Sequence, residues 1–111
     1  MSLTTDKITA YKEEINRFGD SLPETAEAYH EFTGKALQNG VLDAKVKHLI
    51  ALGVGLFANN EVCTFYHANE ARAKGATDAE ILEASAAASA AAAGHILSQG
   101  AIRVQQALDQ I

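Results

Sequence analysis

The stretch Asp43-Ala-Lys-Val-Lys-His-Leu-Ile-Ala-Leu-Gly-Val-Gly-Leu-Phe-Ala58 decides the fold, because it holds the longest apolar run of the chain. Asp43 has the side chain of a helix N-cap, so we expect one helix over this whole stretch. From Leu49 onward apolar residues cover most of its circumference, which predicts a central helix that its neighbours bury. Gly53 and Gly55 lower helix propensity, so we expect another helix to approach closely there.

Helical spacing continues on both sides of this segment, and no stretch alternates in the manner of a strand. Further helices are predicted over residues 5–18, 23–38 and 61–74, and a fifth opens at the capping box Thr77-Asp-Ala-Glu80. Near Gly100 this fifth helix either bends or gives way to a sixth segment. On the first two helices the apolar spacing turns the following side chains inward: Ile8, Tyr11, Ile15, Phe18, Ala26, Tyr29, Phe32, Ala36 and Leu37. We therefore predict a single all-α domain over residues 1–111, a compact bundle of about six helices.

The composition fits a small helical domain that associates with copies of itself. Apolar residues make up 48% of the 111 residues, but aromatic residues only 6%, and Trp is absent. Small aliphatic side chains each bury little area, and a homo-oligomer would compensate for that limit. The formal net charge of −5 favours neither nucleic acid nor an anionic membrane surface as a partner.

The cysteine content and the first residues point to the cytoplasm. A single cysteine excludes an internal disulfide and favours a reducing compartment. The opening residues Met-Ser-Leu-Thr-Thr-Asp lack the apolar core of a signal peptide. The run from Leu49 to Ala58 is about half as long as a membrane helix. We therefore expect a cytoplasmic protein.

The candidate catalytic pair lies in Asn60-Glu-Val-Cys-Thr-Phe-Tyr-His67. In a helix, Cys63 and His67 share one face, one turn apart. With Asn60 as N-cap, Cys63 takes the third helical position, where the helix dipole and the free amides favour a thiolate. His67 can accept the thiol proton or, once protonated, stabilise the thiolate. The alternative is a buried, inert cysteine.

The other histidines are weaker candidates. His48 lies on the central helix, where a polar side chain needs a partner, or else it lies at the surface beside Lys45 and Lys47. Satisfied or solvated side chains are the simpler interpretation for two more histidines, His30 and His95.

A metal site is a further alternative. Cys63 and His67 have suitable helical spacing for two ligands, and His48 would be a third. The sequence contains no glycine-rich phosphate loop, serine-nucleophile elbow or dinucleotide fingerprint. The thiol interpretation therefore requires no cofactor.

Four segments together resemble a known family. They are Phe32-Thr-Gly-Lys-Ala-Leu-Gln-Asn-Gly40, Lys47-His-Leu-Ile-Ala-Leu52, Cys63-Thr-Phe-Tyr-His67 and Ala71-Arg-Ala-Lys-Gly-Ala-Thr-Asp-Ala-Glu-Ile81. On these segments the chain resembles the carboxymuconolactone decarboxylase family, and within it the AhpD-like alkylhydroperoxidases. The resemblance implies an all-helical fold that assembles as homo-oligomers, often trimers or hexamers.

The resemblance also assigns roles to site residues. AhpD-like members carry a Glu, then eleven residues, then Cys-x-x-Cys-x-x-x-His. In them the second cysteine reacts, the first resolves it as a disulfide, and the histidine and glutamate relay protons. In this sequence Cys63 and His67 hold the reactive cysteine and histidine positions. Asn60 stands at the resolving cysteine and His48 at the glutamate.

These departures shape the functional hypotheses. Without a thiol at Asn60, oxidised Cys63 needs an external thiol to be reduced. The leading hypothesis is a one-cysteine thiol oxidoreductase that reduces a small peroxide. The second is an acid-base lyase or decarboxylase acting on a small carboxylated lactone, with His67 and His48 as proton carriers. The third is a metal-binding, non-catalytic oligomer.

Overall fold

The computed structural model of the chain describes residues 3–111, with side chains from residue 5 onward. The first two residues of the expected domain lie outside this range. The helices are α1 (Leu3–Ser21), α2 (Pro23–Leu37), α3 (Ala44–Phe57), α4 (Glu61–Ala73), α5 (Asp78–Gln99) and α6 (Gln105–Gln110), with a π-helical turn over Gly100–Val104. No strand occurs among the described residues. The all-α prediction is confirmed.

Local signals explain where the first two helices end. Helix α1 continues three residues beyond the predicted Phe18 and ends at Ser21. Pro23 occupies the first turn of α2, where its missing N–H costs nothing and its fixed φ suits the helix. Helix α2 ends at Leu37, because Gln38 is already extended.

A tight turn joins α3 to α4 and fixes the start of α4. Asp43 caps α3 as predicted, with its side chain accepting a hydrogen bond from the Val46 N–H at 2.9 Å. After α3, Asn59 adopts a left-handed φ of 53°. The Asn60 N–H then bonds back to the Gly55 carbonyl at 2.9 Å, which is the pattern of a Schellman motif. Asn60 therefore closes the C-terminal motif of α3 and is also the N-cap of α4.

The last helical run is longer than a single α-helix. Thr77 and Glu80 form both hydrogen bonds of the predicted capping box at the start of α5. At Gly100 the backbone passes into the π turn and then into α6 without an intervening loop. Of the two alternatives at Gly100, the sixth segment is the one present, and it extends α5.

The packing centres on α3. Helix α3 contacts α2, α4 and α5, and α1 contacts α2 and α4. The π turn and α6 contact only the helix that they extend, within the described residues. The buried apolar side chains are few and mostly small: Ile8, Ala26, Ala44, Leu52, Ala71 and Ala76. Among residues 3–111, no helix combines the length and the apolarity that a bilayer crossing requires.

Two expectations about burial are wrong for the single chain. Helix α3 is not covered all round, since Val54 is 66% exposed and Phe57 65%. Tyr29 and Phe32 of α2, expected to face inward, are 56% and 69% exposed. These apolar faces stay uncovered because α2 contacts only α1 and α3, and no other helix among residues 3–111 packs over the outer side of α3 and α5.

Candidate functional site

The first turn of α4 presents Cys63. The Asn60 side chain accepts a hydrogen bond from the Cys63 N–H at 2.9 Å. The Thr64 hydroxyl donates to the Asn60 carbonyl at 2.8 Å, so both ends of the cap residue are engaged. Cys63 therefore occupies the third helical position, as the sequence predicts, and its sulfur sits at the positive end of the helix dipole.

A close helix approach places Cys63 against α3. A Cβ built on Gly55 would lie 3.2 Å from the Cys63 Cβ and 3.2 Å from the Thr64 backbone nitrogen. A Cβ on Gly53 would meet the Ala88 Cβ of α5 at 3.5 Å. The expectation that these glycines permit close neighbours is confirmed, and Gly55 sets the position of the thiol.

His48 and His67 form a hydrogen-bonded pair. The two Nδ1 atoms are 2.9 Å apart, and the His48 residue is only 4% exposed. One ring must donate from Nδ1 and the other must accept, so the tautomer of one ring fixes that of the other. The edge of Tyr66 packs against both rings, with centroids 6.2 Å from His48 and 5.0 Å from His67. Of the two expectations for His48, the partnered one holds.

The surroundings disfavour protonation of this pair. Burial lowers the pKa of His48 and the Lys74 ammonium lowers it further, while the Glu70 carboxylate opposes them. Burial also lowers the pKa of His67, followed by the charge of His48, again against Glu70. Glu70 itself accepts a hydrogen bond from Lys74 Nζ at 2.6 Å, which lowers the pKa of Glu70. Glu70 thus pairs with Lys74 instead of orienting the ring of His67.

Cys63 and His67 both line a cavity of about 370 Å³ between α1, α2 and α4. Helices α2 and α4 make no direct contact, so the cavity separates them. His48 does not line it and lies on the far side of His67. The cavity residues are Tyr11, Lys12, Ile15, Asn16, Tyr29, His30, Thr33, Leu37, Val62, Cys63, Tyr66 and His67.

The lining combines aromatic rings with positive charge. All three tyrosines of the chain are present, and burial raises the pKa of Tyr11, with smaller contributions from Tyr29, Cys63 and Tyr66. Lys12 Nζ lies 5.9 Å from the ring centroid of Tyr66. No carboxylate is among the described residues that line the cavity. The chamber therefore offers a ligand aromatic surfaces and one ammonium group, without a carboxylate among its described lining residues.

The structure places the two remaining histidines, His30 and His95, in different surroundings. His30, interpreted as a solvated or satisfied residue, lines the same cavity from α2. No sequence signal would have found it, because its place depends on how α2 stands against α4. His95 lies outside the cavity, with its ring edge-on to Phe57 at 5.9 Å.

The three residues expected as metal ligands do not form one cluster. In the part of the chain that is described, no group of three or more His, Cys, Asp or Glu side chains is arranged to hold a metal ion. Nor does the Cys63 thiol hydrogen-bond to either histidine among residues 3–111. The histidine pair and the thiol are thus separate groups that share a cavity through His67.

Comparison with known proteins identifies the family of the chain. The model of the carboxymuconolactone decarboxylase family matches residues 23–107. The chain belongs to the carboxymuconolactone decarboxylase family. It is also 39% identical over 60 residues to an uncharacterised protein of Haemophilus influenzae, an alignment that covers 54% of this chain and 53% of that protein. The chain thus matches about half the length of this curated relative.

The family match does not include the whole cavity. It begins at residue 23, so it contains the walls supplied by α2 and α4. The wall supplied by α1, with Tyr11, Lys12, Ile15 and Asn16, lies outside the matched residues. The family match therefore covers the walls that hold Cys63 and His67 but not the wall that faces them from α1.

Proposed function

We propose that the protein is a one-cysteine thiol peroxidase that reduces a small hydroperoxide with an external thiol. The observation that supports this best is the shared cavity of Cys63 and His67, with His48 Nδ1 at 2.9 Å from His67 Nδ1. The thiol lies in the first turn of α4, at the positive end of the helix dipole. The cavity holds the ligand beside both groups.

The first half-reaction consumes the peroxide. Because Cys63 and His67 share the cavity without a direct hydrogen bond, a water molecule in the cavity carries the Cys63 thiol proton to His67. The thiolate then attacks the terminal oxygen of the hydroperoxide. The S–O bond forms as the O–O bond breaks, which leaves a sulfenic acid on Cys63 and an alkoxide. The proton held on His67 passes to the alkoxide to give the alcohol. His67 accepts at Nε2 when its Nδ1–H donates to His48, so His48 acts as the positioning residue in place of a glutamate.

The second half-reaction needs a thiol from outside the chain. Asn60 offers no sulfur and is engaged in capping α4. An external thiol attacks the Cys63 sulfur, which releases water and leaves a mixed disulfide. A second external thiol then frees Cys63 and leaves as the oxidised disulfide. The balance is one hydroperoxide and two thiols in, and one alcohol, one water and one disulfide out. A reducing compartment such as the cytoplasm would supply these thiols.

Consumption of an alkyl hydroperoxide in the presence of excess low-molecular-weight thiol tests this function. We expect Cys63→Ser to abolish the enzymatic rate and His67→Gln to lower it by about 100-fold or more, since general acid-base catalysis contributes that much. Asn69→Ala is the control, because Asn69 is exposed on α4 outside the cavity, and should keep the wild-type rate. If the wild-type protein does not exceed the thiol-only blank, the proposal fails.

A second candidate function has one specific observation in its favour. Lys12 and His30 line the cavity, and no Asp or Glu is among its described residues, although the chain has 14 acidic residues. This charge suits acid-base chemistry on a small carboxylated lactone, with His67 as the proton carrier. Such an activity should survive Cys63→Ser and fall with Lys12→Met. Loss of turnover on Cys63→Ser with an unchanged fold would contradict it.

We also propose that the protein works as a homo-oligomer. The exposed apolar side chains of α2, α3 and α5 support this, because a single chain leaves them uncovered. Light scattering at micromolar concentration tests it, and a monomeric mass would contradict it.

A further inference from the structure

The single chain exposes more surface than a folded monomer of its mass. Its accessible area is 8042 Å² for 11.7 kDa, whereas a compact monomer of that mass exposes about 5,900 Å². The surplus of roughly 2,100 Å² per chain is the area that one side of a large permanent interface buries. The radius of gyration, 17.9 Å, likewise exceeds the value of about 13 Å for a compact chain of this length.

Part of this surplus lies on a protruding C-terminal arm, residues 100–111. Within the described residues the arm contacts only α5, the helix that it extends. Its apolar side chains are all more than half exposed: Ile102, Val104, Leu108 and Ile111. Its two charged residues, Arg103 and Asp109, have opposite signs. The arm is therefore an apolar, nearly neutral helical segment without a partner in its own chain.

A second uncovered surface is an apolar groove between α3 and α5, with a volume of about 400 Å³. Ile50, Val54 and Phe57 line it from α3, and Ala91 and His95 line it from α5. No charged Lys, Arg, Asp or Glu side chain is among its described lining residues. Small alanines on one wall leave room for the larger side chains of another helix.

The arm cannot reach the groove of its own chain. The groove runs beside residues 88–95 of α5. From Gly100 the arm continues the same helical run and leads away from the groove. At 1.5 Å per residue, the arm extends to about 24 Å beyond His95 along that helix. Because no loop interrupts the run, the arm cannot fold back.

We propose that the C-terminal arm of one copy docks into the α3–α5 groove of a second copy. Both surfaces are apolar and nearly uncharged, neither has an occupant among the described residues of its own chain, and the surplus area matches a permanent interface. The inference rests on the self-association proposed above and is independent of the thiol chemistry. The inference assigns self-association to the C-terminal arm and the α3–α5 groove.

Single charge substitutions test the two surfaces separately. We expect Leu108→Glu in the arm and Val54→Glu in the groove each to weaken self-association by at least 100-fold in sedimentation or light scattering. Both side chains are exposed in the single chain, so helical content by circular dichroism should stay unchanged. Gln106→Glu in the arm and Ala90→Glu on α5 outside the groove introduce the same charge at exposed positions and should leave the mass unchanged.

A mixing experiment tests the pairing itself. The full-length Leu108→Glu chain keeps the groove without a usable arm, and the full-length Val54→Glu chain keeps the arm without a usable groove. Each alone should be monomeric, and the mixture should form a one-to-one heterodimer. A monomeric wild type would overturn self-association altogether. A wild-type oligomer that Leu108→Glu leaves intact, or a mixture that forms no heterodimer, would overturn the arm-in-groove assignment alone.

Discussion

The substitution Gly55→Ala probes the helix contact that positions the thiol. The new methyl group would lie 3.2 Å from the Cys63 Cβ, 3.2 Å from the Thr64 backbone nitrogen and 3.4 Å from the Cys63 carbonyl carbon. Two of these three atoms belong to the backbone, so a side-chain rotation cannot relieve the contact. Helices α3 and α4 would have to separate by a few tenths of an ångström.

Two opposing effects set the magnitude. Replacing a helical glycine by alanine stabilises a helix by about 0.5–1 kcal/mol. Inserting a methyl group into a closely packed contact costs about 1–3 kcal/mol. We therefore expect a net loss of about 1 kcal/mol in the free energy of unfolding, which lowers Tm by roughly 4 °C for a chain of this size.

Gly34→Ala is the matched control, because nothing lies within 4 Å of a Cβ at that position on α2. It should raise Tm by a similar few degrees. Urea unfolding measures both variants, and alkylation of Cys63 by iodoacetamide reports whether the thiol has moved. If Gly55→Ala raised Tm as Gly34→Ala does and left the alkylation rate unchanged, the proposed role of Gly55 would be refuted.

Three other predictions concern caps and pH. Asn60→Ala and Thr77→Ala each remove a cap and should each cost about 1 kcal/mol in urea unfolding, whereas Asn69→Ala on the exposed side of α4 should cost less than about 0.5 kcal/mol. The pKa values of His48 and His67 are lowered in the folded chain, so below about pH 6.5 the unfolded chain binds more protons and the folded state loses stability as the pH is lowered. The double variant His48→Gln/His67→Gln should flatten this slope, and an unchanged slope would argue against the buried pair.

Much of the local structure could be predicted from the sequence because its signals are local. Asp43, Asn60 and Thr77 cap their helices through side chains that bond backbone groups three residues later. Gly55 indicates a close contact because glycine destabilises the interior of a helix, and a closely approaching neighbour explains its presence there. The placement of Cys63 at the third position of α4 follows directly from the cap.

Tertiary relations were harder to predict. Helical periodicity shows that Tyr29 and Val54 lie on apolar faces, but it does not tell whether the same chain covers them, and both are exposed. His30 enters the cavity only because α2 stands across from α4. The meeting of His48 with His67 was expected from the family resemblance, whereas the spacing of the residues alone favoured a surface position for His48.

The proposed peroxidase activity depends most directly on whether peroxide oxidises Cys63. The decisive measurement is intact-mass analysis after one equivalent of alkyl hydroperoxide, with a dimedone-type reagent present to trap sulfenic acid. We predict one trapped adduct per chain, located on Cys63, formed more slowly in His67→Gln and absent in Cys63→Ser. A Cys63 that keeps its free thiol while the peroxide is left unconsumed would contradict the proposed function.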